Sequence, residues 1–246
     1  MINNLINLLK NKNGDWGLGI EPNPQSPFPL AAVIHDLCYI VFYLCFPYTS
    51  SINMSSCKFL GIKVKNNTED INKLIVKGLE DLLKDNTINN STFIQLYDEL
   101  KSNSQISEYR YPKDFHVTIV FEPEHYMNES AVKRFEEGKE IDVIIKGFVF
   151  ISKKILTFFV EVNTSILNPF PHITTLLGED YKAKNSNDIL ESVFKDRSKK
   201  TQSQTDSVSI FNNIKVREKH ETVYLVRFKN NIFFKGVMKS YPKNPK

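Results

Sequence analysis

The chain has 246 residues, 41% of them hydrophobic, 24% charged and 12% aromatic, enough to bury a sizeable core and too apolar to stay unfolded. Three cysteines, Cys38, Cys45 and Cys57, exclude a disulfide framework and fit a reducing compartment. A formal charge of +4 permits an anionic ligand without demanding a nucleic acid.

Residues 1–54 read as a helical and loop extension: a polar start, a proline-punctuated loop from Glu21 to Pro29, then an apolar helix. The uninterrupted apolar run, Leu37 to Phe46, falls short of the roughly 20 residues that cross a bilayer, so no membrane is expected. Residues 55–240 read as the main domain. Lys58 to Lys65 alternates polar and apolar as a half-buried strand does. Thr68-Glu-Asp caps a helix whose Ile71, Leu74, Ile75, Leu79, Leu82 and Leu83 share one face. A second helix is expected over Ser91–Leu100, a strand over His116–Phe121 and a helix over Glu129–Glu137.

Two β-branched and aromatic runs, Ile141–Phe150 and Ile155–Val162, flank Lys153-Lys154 as a hairpin. Another strand follows at Pro171–Leu177, then a helix from Asn187 to Phe194 and a polar loop from Lys195 to Ser207. Strands at Val208–Val216, Thr222–Phe228 and Ile232–Met238 close the chain. This order predicts an α+β fold with a predominantly antiparallel sheet, because many connections are too short for crossovers.

Two of the five histidines share a setting. Phe115-His116-Val-Thr118 and Pro171-His172-Ile-Thr174 both place His, an apolar residue and Thr in a predicted strand. A period of two puts His116 with Thr118, and His172 with Thr174, on one face, while Val117, Ile119 and Ile173 point to the core. Neighbouring strands would then bring two imidazoles and two hydroxyls together. Two imidazoles titrating near neutral pH supply a general base and a general acid, and two hydroxyls hold phosphate oxygens. No metal or other cofactor is required.

These paired motifs resemble the signature of the 2H phosphoesterases, and Pro171-His-Ile-Thr-Thr-Leu-Leu-Gly-Glu followed by Lys182-Ala-Lys-Asn-Ser-Asn187 is similar to the cyclic phosphodiesterase domain of fungal and plant tRNA ligases. The resemblance implies two lobes of antiparallel strands around a central cleft with helices outside. It implies His116 and His172 as catalytic residues and Thr118 and Thr174 as phosphate-binding residues, with the order of base and acid open. The implied reaction is hydrolysis of a 2′,3′-cyclic phosphate at an RNA end to a 2′-phosphate and a 3′-hydroxyl. A phosphodiesterase of small cyclic nucleotides and a non-catalytic RNA-binding module are the competing readings. The expected protein is an intracellular monomer of the cytoplasm or nucleus. Two departures stand out: Thr175 occupies a position where an apolar residue is usual, and no Lys-x-Asp-Gly or Gly-x-x-x-x-Gly-Lys-[Ser/Thr] motif occurs. Ligase and kinase chemistry are therefore not expected of this chain alone.

Other candidates carry less. His35-Asp36 reads as a satisfied pair on an apolar helix, His125 as a loop residue and His220 as a solvated turn, and the cysteines lack zinc spacing. For RNA, the basic groups are Lys195, Arg197, Lys199 and Lys200, the hairpin pair Lys153 and Lys154, and Lys239, Lys243 and Lys246 near the end; Tyr109, Tyr111 and Tyr181 flank the motifs as stacking candidates.

Overall fold

The computed structural model describes residues 52–84, 91–102, 106, 108–195, 208–216 and 218–243. The helix expected within 1–54, the His35-Asp36 pair, Cys38, Cys45, Arg197, Lys199, Lys200 and Lys246 lie outside the described residues. The described elements are β1 (Cys57–Val64), α1 (Thr68–Leu83), α2 (Ser91–Lys101), β2 (His116–Phe121), α3 (Ser130–Lys133), β3 (Glu140–Ile151), β4 (Ile155–Val162), β5 (His172–Leu177), α4 (Asn185–Lys195), β6 (Val208–Val216) and β7 (Lys219–Pro242). They form the expected α+β fold. The strands make one seven-stranded sheet in the order β2-β1-β7-β3-β4-β5, with β6 also on β7, and every pairing is antiparallel.

Helix α1 starts where its sequence dictates. The Asn67 side chain accepts from the Asp70 N–H and the Asp70 carboxylate answers at the Asn67 N–H, a reciprocal cap. Its apolar face is buried, with Ile71, Ile75, Leu79 and Leu82 at 0% exposure, each contributing about 1.5–3 kcal/mol. Gly78 lets it lie flat on the sheet: a Cβ there would sit 2.2 Å from the Phe148 ring. Helix α2 adds Phe93, Leu96 and Leu100 to the same core, and α4 buries Ile189, Leu190 and Val193 in a second cluster with β6.

Two elements depart from expectation. The helix over Glu129–Glu137 shortens to the single turn of α3, because the chain is drawn into the sheet at Gly138, whose N–H donates to the Met238 carbonyl. The strands expected at Thr222–Phe228 and Ile232–Met238 are one strand, β7. Lys229-Asn230-Asn231 lies between the two expected strands, but β3 runs alongside both halves: Ile145 pairs with Ile232 and Gly147 with Arg227, so the polar residues form a bulge. The two halves of the sheet, one carrying β1 and β2 and the other β6, thus share β7 and β3.

Strands β2 and β5 occupy opposite ends of the sheet path, yet they face each other. The backbone N–H groups of Leu167 and Asn168, just before β5, both donate to the Ile119 carbonyl of β2, at 3.0 and 3.2 Å. The sheet therefore curls until its two ends flank one cleft.

Candidate active site

The cleft has a volume of about 630 Å³ and is lined by His116 and Thr118 from β2 and by His172 and Thr174 from β5. The alternation that aims them there buries Val117, Ile119 and Ile173 at 0% exposure on the opposite face. All four sequence-derived candidates are brought to one cleft, His172 and Thr174 as buried side chains.

Each imidazole is tethered by the same ring nitrogen. His172 Nδ1 donates to the Phe170 carbonyl at 2.7 Å and His116 Nδ1 to the Asp114 carbonyl at 3.3 Å. In both cases the carbonyl lies two residues before the histidine. A carbonyl only accepts, so Nδ1 carries the proton and Nε2 is left as the reactive atom. Burial pushes the His172 pKa down to about 4, with the neighbouring His116 acting in the same direction. Burial also lowers that of His116, against the opposing pull of Asp114. Of the two, His116 is the less depressed and keeps a carboxylate beside it.

The His116 ring is held from the side by aromatics the sequence reading did not single out. Phe59 of β1 stacks on it at 4.9 Å and 28°, and Tyr241 of β7 stacks on Phe59 at 4.2 Å. The stack needs Gly61: a Cβ there would lie 3.3 Å from both the Phe59 and Tyr241 rings and 2.9 Å from the Val117 carbonyl. On the other wall, Thr174 Oγ1 lies 2.9 Å from Ser186 Oγ, a hydroxyl at 0% exposure in the first turn of α4. Ala183 and Lys184 just before α4, Asn187 in its first turn, and Lys58 from β1 also line the cleft. The polar Thr175 is also explained. Its hydroxyl donates to the Leu156 carbonyl and that of Thr157 to the Ile173 carbonyl, so the pair satisfies both strands where the β4–β5 register shifts.

Other sequence candidates go elsewhere. Tyr109 Oη accepts from the Lys153 N–H, Tyr111 Oη donates to Asn72 Oδ1, and Tyr181 is buried in the second core cluster, so none of the three is placed to stack on a base. Lys153 pairs with Glu108, Lys154 with Glu221, Lys195 with Glu191 and Lys243 with Glu124, which spends the charge that the sequence reading offered to RNA. His125, expected in a loop, is exposed in a 3-10 turn, Pro123–Tyr126, near Glu122 and Glu124, and His220 lies on the surface against the Asn213 carbonyl. Among the described residues no three His, Cys, Asp or Glu side chains are grouped to hold a metal ion, and no helix is long and apolar enough to cross a membrane.

No curated protein matches this chain. A solved structure described as a fungal RNA kinase is similar at 15% identity and a TM-score of 0.49, over 98% of this chain and 57% of its own, so the present chain spans little more than half of that one. A family model matches residues 122–223, a stretch that includes His172 and Thr174 but begins just after the His116–Thr118 motif. The resemblance seen in the second His-x-Thr motif is thereby shown: residues 122–223 match the fungal tRNA ligase phosphodiesterase domain, which supports a phosphodiesterase role in RNA processing.

Proposed function

We propose that this chain hydrolyses 2′,3′-cyclic phosphates at RNA 3′ ends without a metal, leaving a 2′-phosphate and a 3′-hydroxyl. The observation that carries the reading is the convergence of His116, Thr118, His172 and Thr174 on one cleft, with neither Nε2 atom hydrogen-bonded among the described residues. His172, the more strongly depressed, is neutral and takes a proton from water as the water oxygen attacks phosphorus. The P–O3′ bond breaks, and His116, protonated with Asp114 beside it, gives its Nε2 proton to the ribose 3′ oxygen. Thr118 and Thr174 donate to the two non-bridging oxygens, while Lys58 and Lys184 offset the phosphate charge. Residues 55–240 make up the catalytic unit in this reading, which acts as a monomer inside the cell.

A cleft of about 630 Å³ is also the size of a single-nucleotide site, which favours free cyclic mononucleotides as a second reading. Turnover of a cyclic-phosphate RNA beside that of a cyclic mononucleotide separates the two. In the deciding experiment, activity on the RNA survives a chelator, and His116→Ala and His172→Ala each lose roughly 10²- to 10⁴-fold. Full activity in His172→Ala overturns the proposal.

A further inference from the structure

The cleft is not symmetrical about the phosphate position. Its His116 end is lined by Pro112 and by Asp114, whose carboxylate is paired with Lys63 at 3.1 Å. Its other end is open and apolar: Phe121, Tyr126 and Leu167 line it while remaining 51%, 45% and 36% exposed. The loop joining β4 to β5 forms this rim, with Leu167 and Asn168 in the cleft.

The same loop has a second side. Asn163, Thr164 and Ser165, with Val162, line a separate groove of about 670 Å³ whose facing wall is Lys133, Arg134, Glu136 and Lys139. Lys139 is paired with Glu136 at 2.7 Å. Lys133 and Arg134 have no ion pair among the described residues, and the side chains of Asn163, Thr164 and Ser165 have no hydrogen-bond partner among them. Ser165 and Leu167 are two residues apart, at most about 7 Å of extended chain, so groove and cleft adjoin across one loop.

We propose that this groove binds the phosphodiester backbone of the RNA just upstream of the reacting end. The proposal rests on the reading of the cleft as the site for an RNA terminus. A terminal cyclic phosphate leaves the strand a single direction in which to continue, and the open rim leads to the groove, whereas the cation at the Asp114 end, Lys63, is already paired. At the open rim the next phosphates meet two uncompensated cations, and hydroxyl and amide groups reach their oxygens without reading base sequence. The groove then separates an RNA end from a free cyclic nucleotide, since a mononucleotide fills the cleft and never reaches it.

The test is the double variant Lys133→Gln/Arg134→Gln in the full chain, both positions being exposed. With a ten-nucleotide RNA ending in a 2′,3′-cyclic phosphate, kcat/KM is expected to fall roughly 10-fold at low salt, and the slope of log kcat/KM against log salt to become shallower by about 1.4, two single-strand phosphate contacts. Turnover of a 2′,3′-cyclic mononucleotide should not change. Unaltered RNA turnover and salt slope overturn the proposal, as does an equal loss on the mononucleotide. If the wild type cleaves neither substrate, the reading of the cleft fails instead. The groove is then judged by fluorescence anisotropy with the same RNA ending in a 3′-phosphate: a 10-fold weaker Kd in the variant supports it, and an unchanged Kd overturns it.

Discussion

The hydroxyls of Thr174 and Ser186 lie 2.9 Å apart in the wall of the cleft, Ser186 fully buried and Thr174 nearly so. Either oxygen can donate, and the direction matters. If Thr174 donates to a phosphate oxygen, the proton between the two hydroxyls must come from Ser186, which makes Ser186 a positioning residue for Thr174.

Three substitutions grade the hydroxyls of the cleft. Thr118→Val and Thr174→Val keep the branched shape and remove the hydroxyl, and each is expected to cost about 10²- to 10³-fold in kcat. Ser186→Ala should cost less, roughly 10-fold in kcat with KM nearly constant, because Thr174 remains but is no longer oriented. Steady-state kinetics on a cyclic-phosphate RNA reads all three, and full kcat in both threonine variants would remove the hydroxyls from the mechanism.

The pH profile follows from the two burials. Since kcat/KM reports the free protein, its rising limb should lie near pH 4, where His172 loses its proton. Its falling limb should lie below 6.5, the ordinary imidazole value, where His116 loses its own. The result is a bell displaced to the acid side of neutrality. Phe59→Ala uncovers the His116 ring, and since burial is what lowers that pKa, the falling limb should move up toward 6.5. A falling limb that stays in place in Phe59→Ala would detach the stack from the titration.

Stability carries a second signature of His172. Above pH 6.5 its imidazole is neutral folded or unfolded. Between 6.5 and about 4 the unfolded chain binds a proton that the folded one refuses, so stability falls as pH drops through that window. By pH 4 the loss attributable to this group is about 3 kcal/mol. Urea unfolding of the wild type and His172→Gln at pH 7.5 and 4.5 tests it: the gap between the two proteins should narrow at the lower pH. An identical pH dependence in both would contradict the burial of a neutral imidazole.

Much of this site is written within single strands. The period of two alone places His116 beside Thr118 and His172 beside Thr174, with Val117, Ile119 and Ile173 behind them, and the burial of those three residues bears that out. The helices behave likewise, since the cap at Asn67 and the spacing of Ile71, Ile75 and Leu79 are local chemistry. Tertiary structure alone decided everything that depends on distant pairing. The Ile119 carbonyl gathers the loop before β5 and so brings two strands from opposite ends of the sheet to one cleft. The Phe59 ring crosses Gly61 to reach His116 because β1 and β2 are neighbours. Lys229-Asn230-Asn231 bulges within one strand because β3 holds both halves of β7. Tyr109, Tyr111 and Tyr181 turn inward, and Lys153 and Lys154 are neutralised by partners 45 and 67 positions away. Periodicity records which face of an element is apolar; which element then meets that face is settled by packing between residues far apart in the chain.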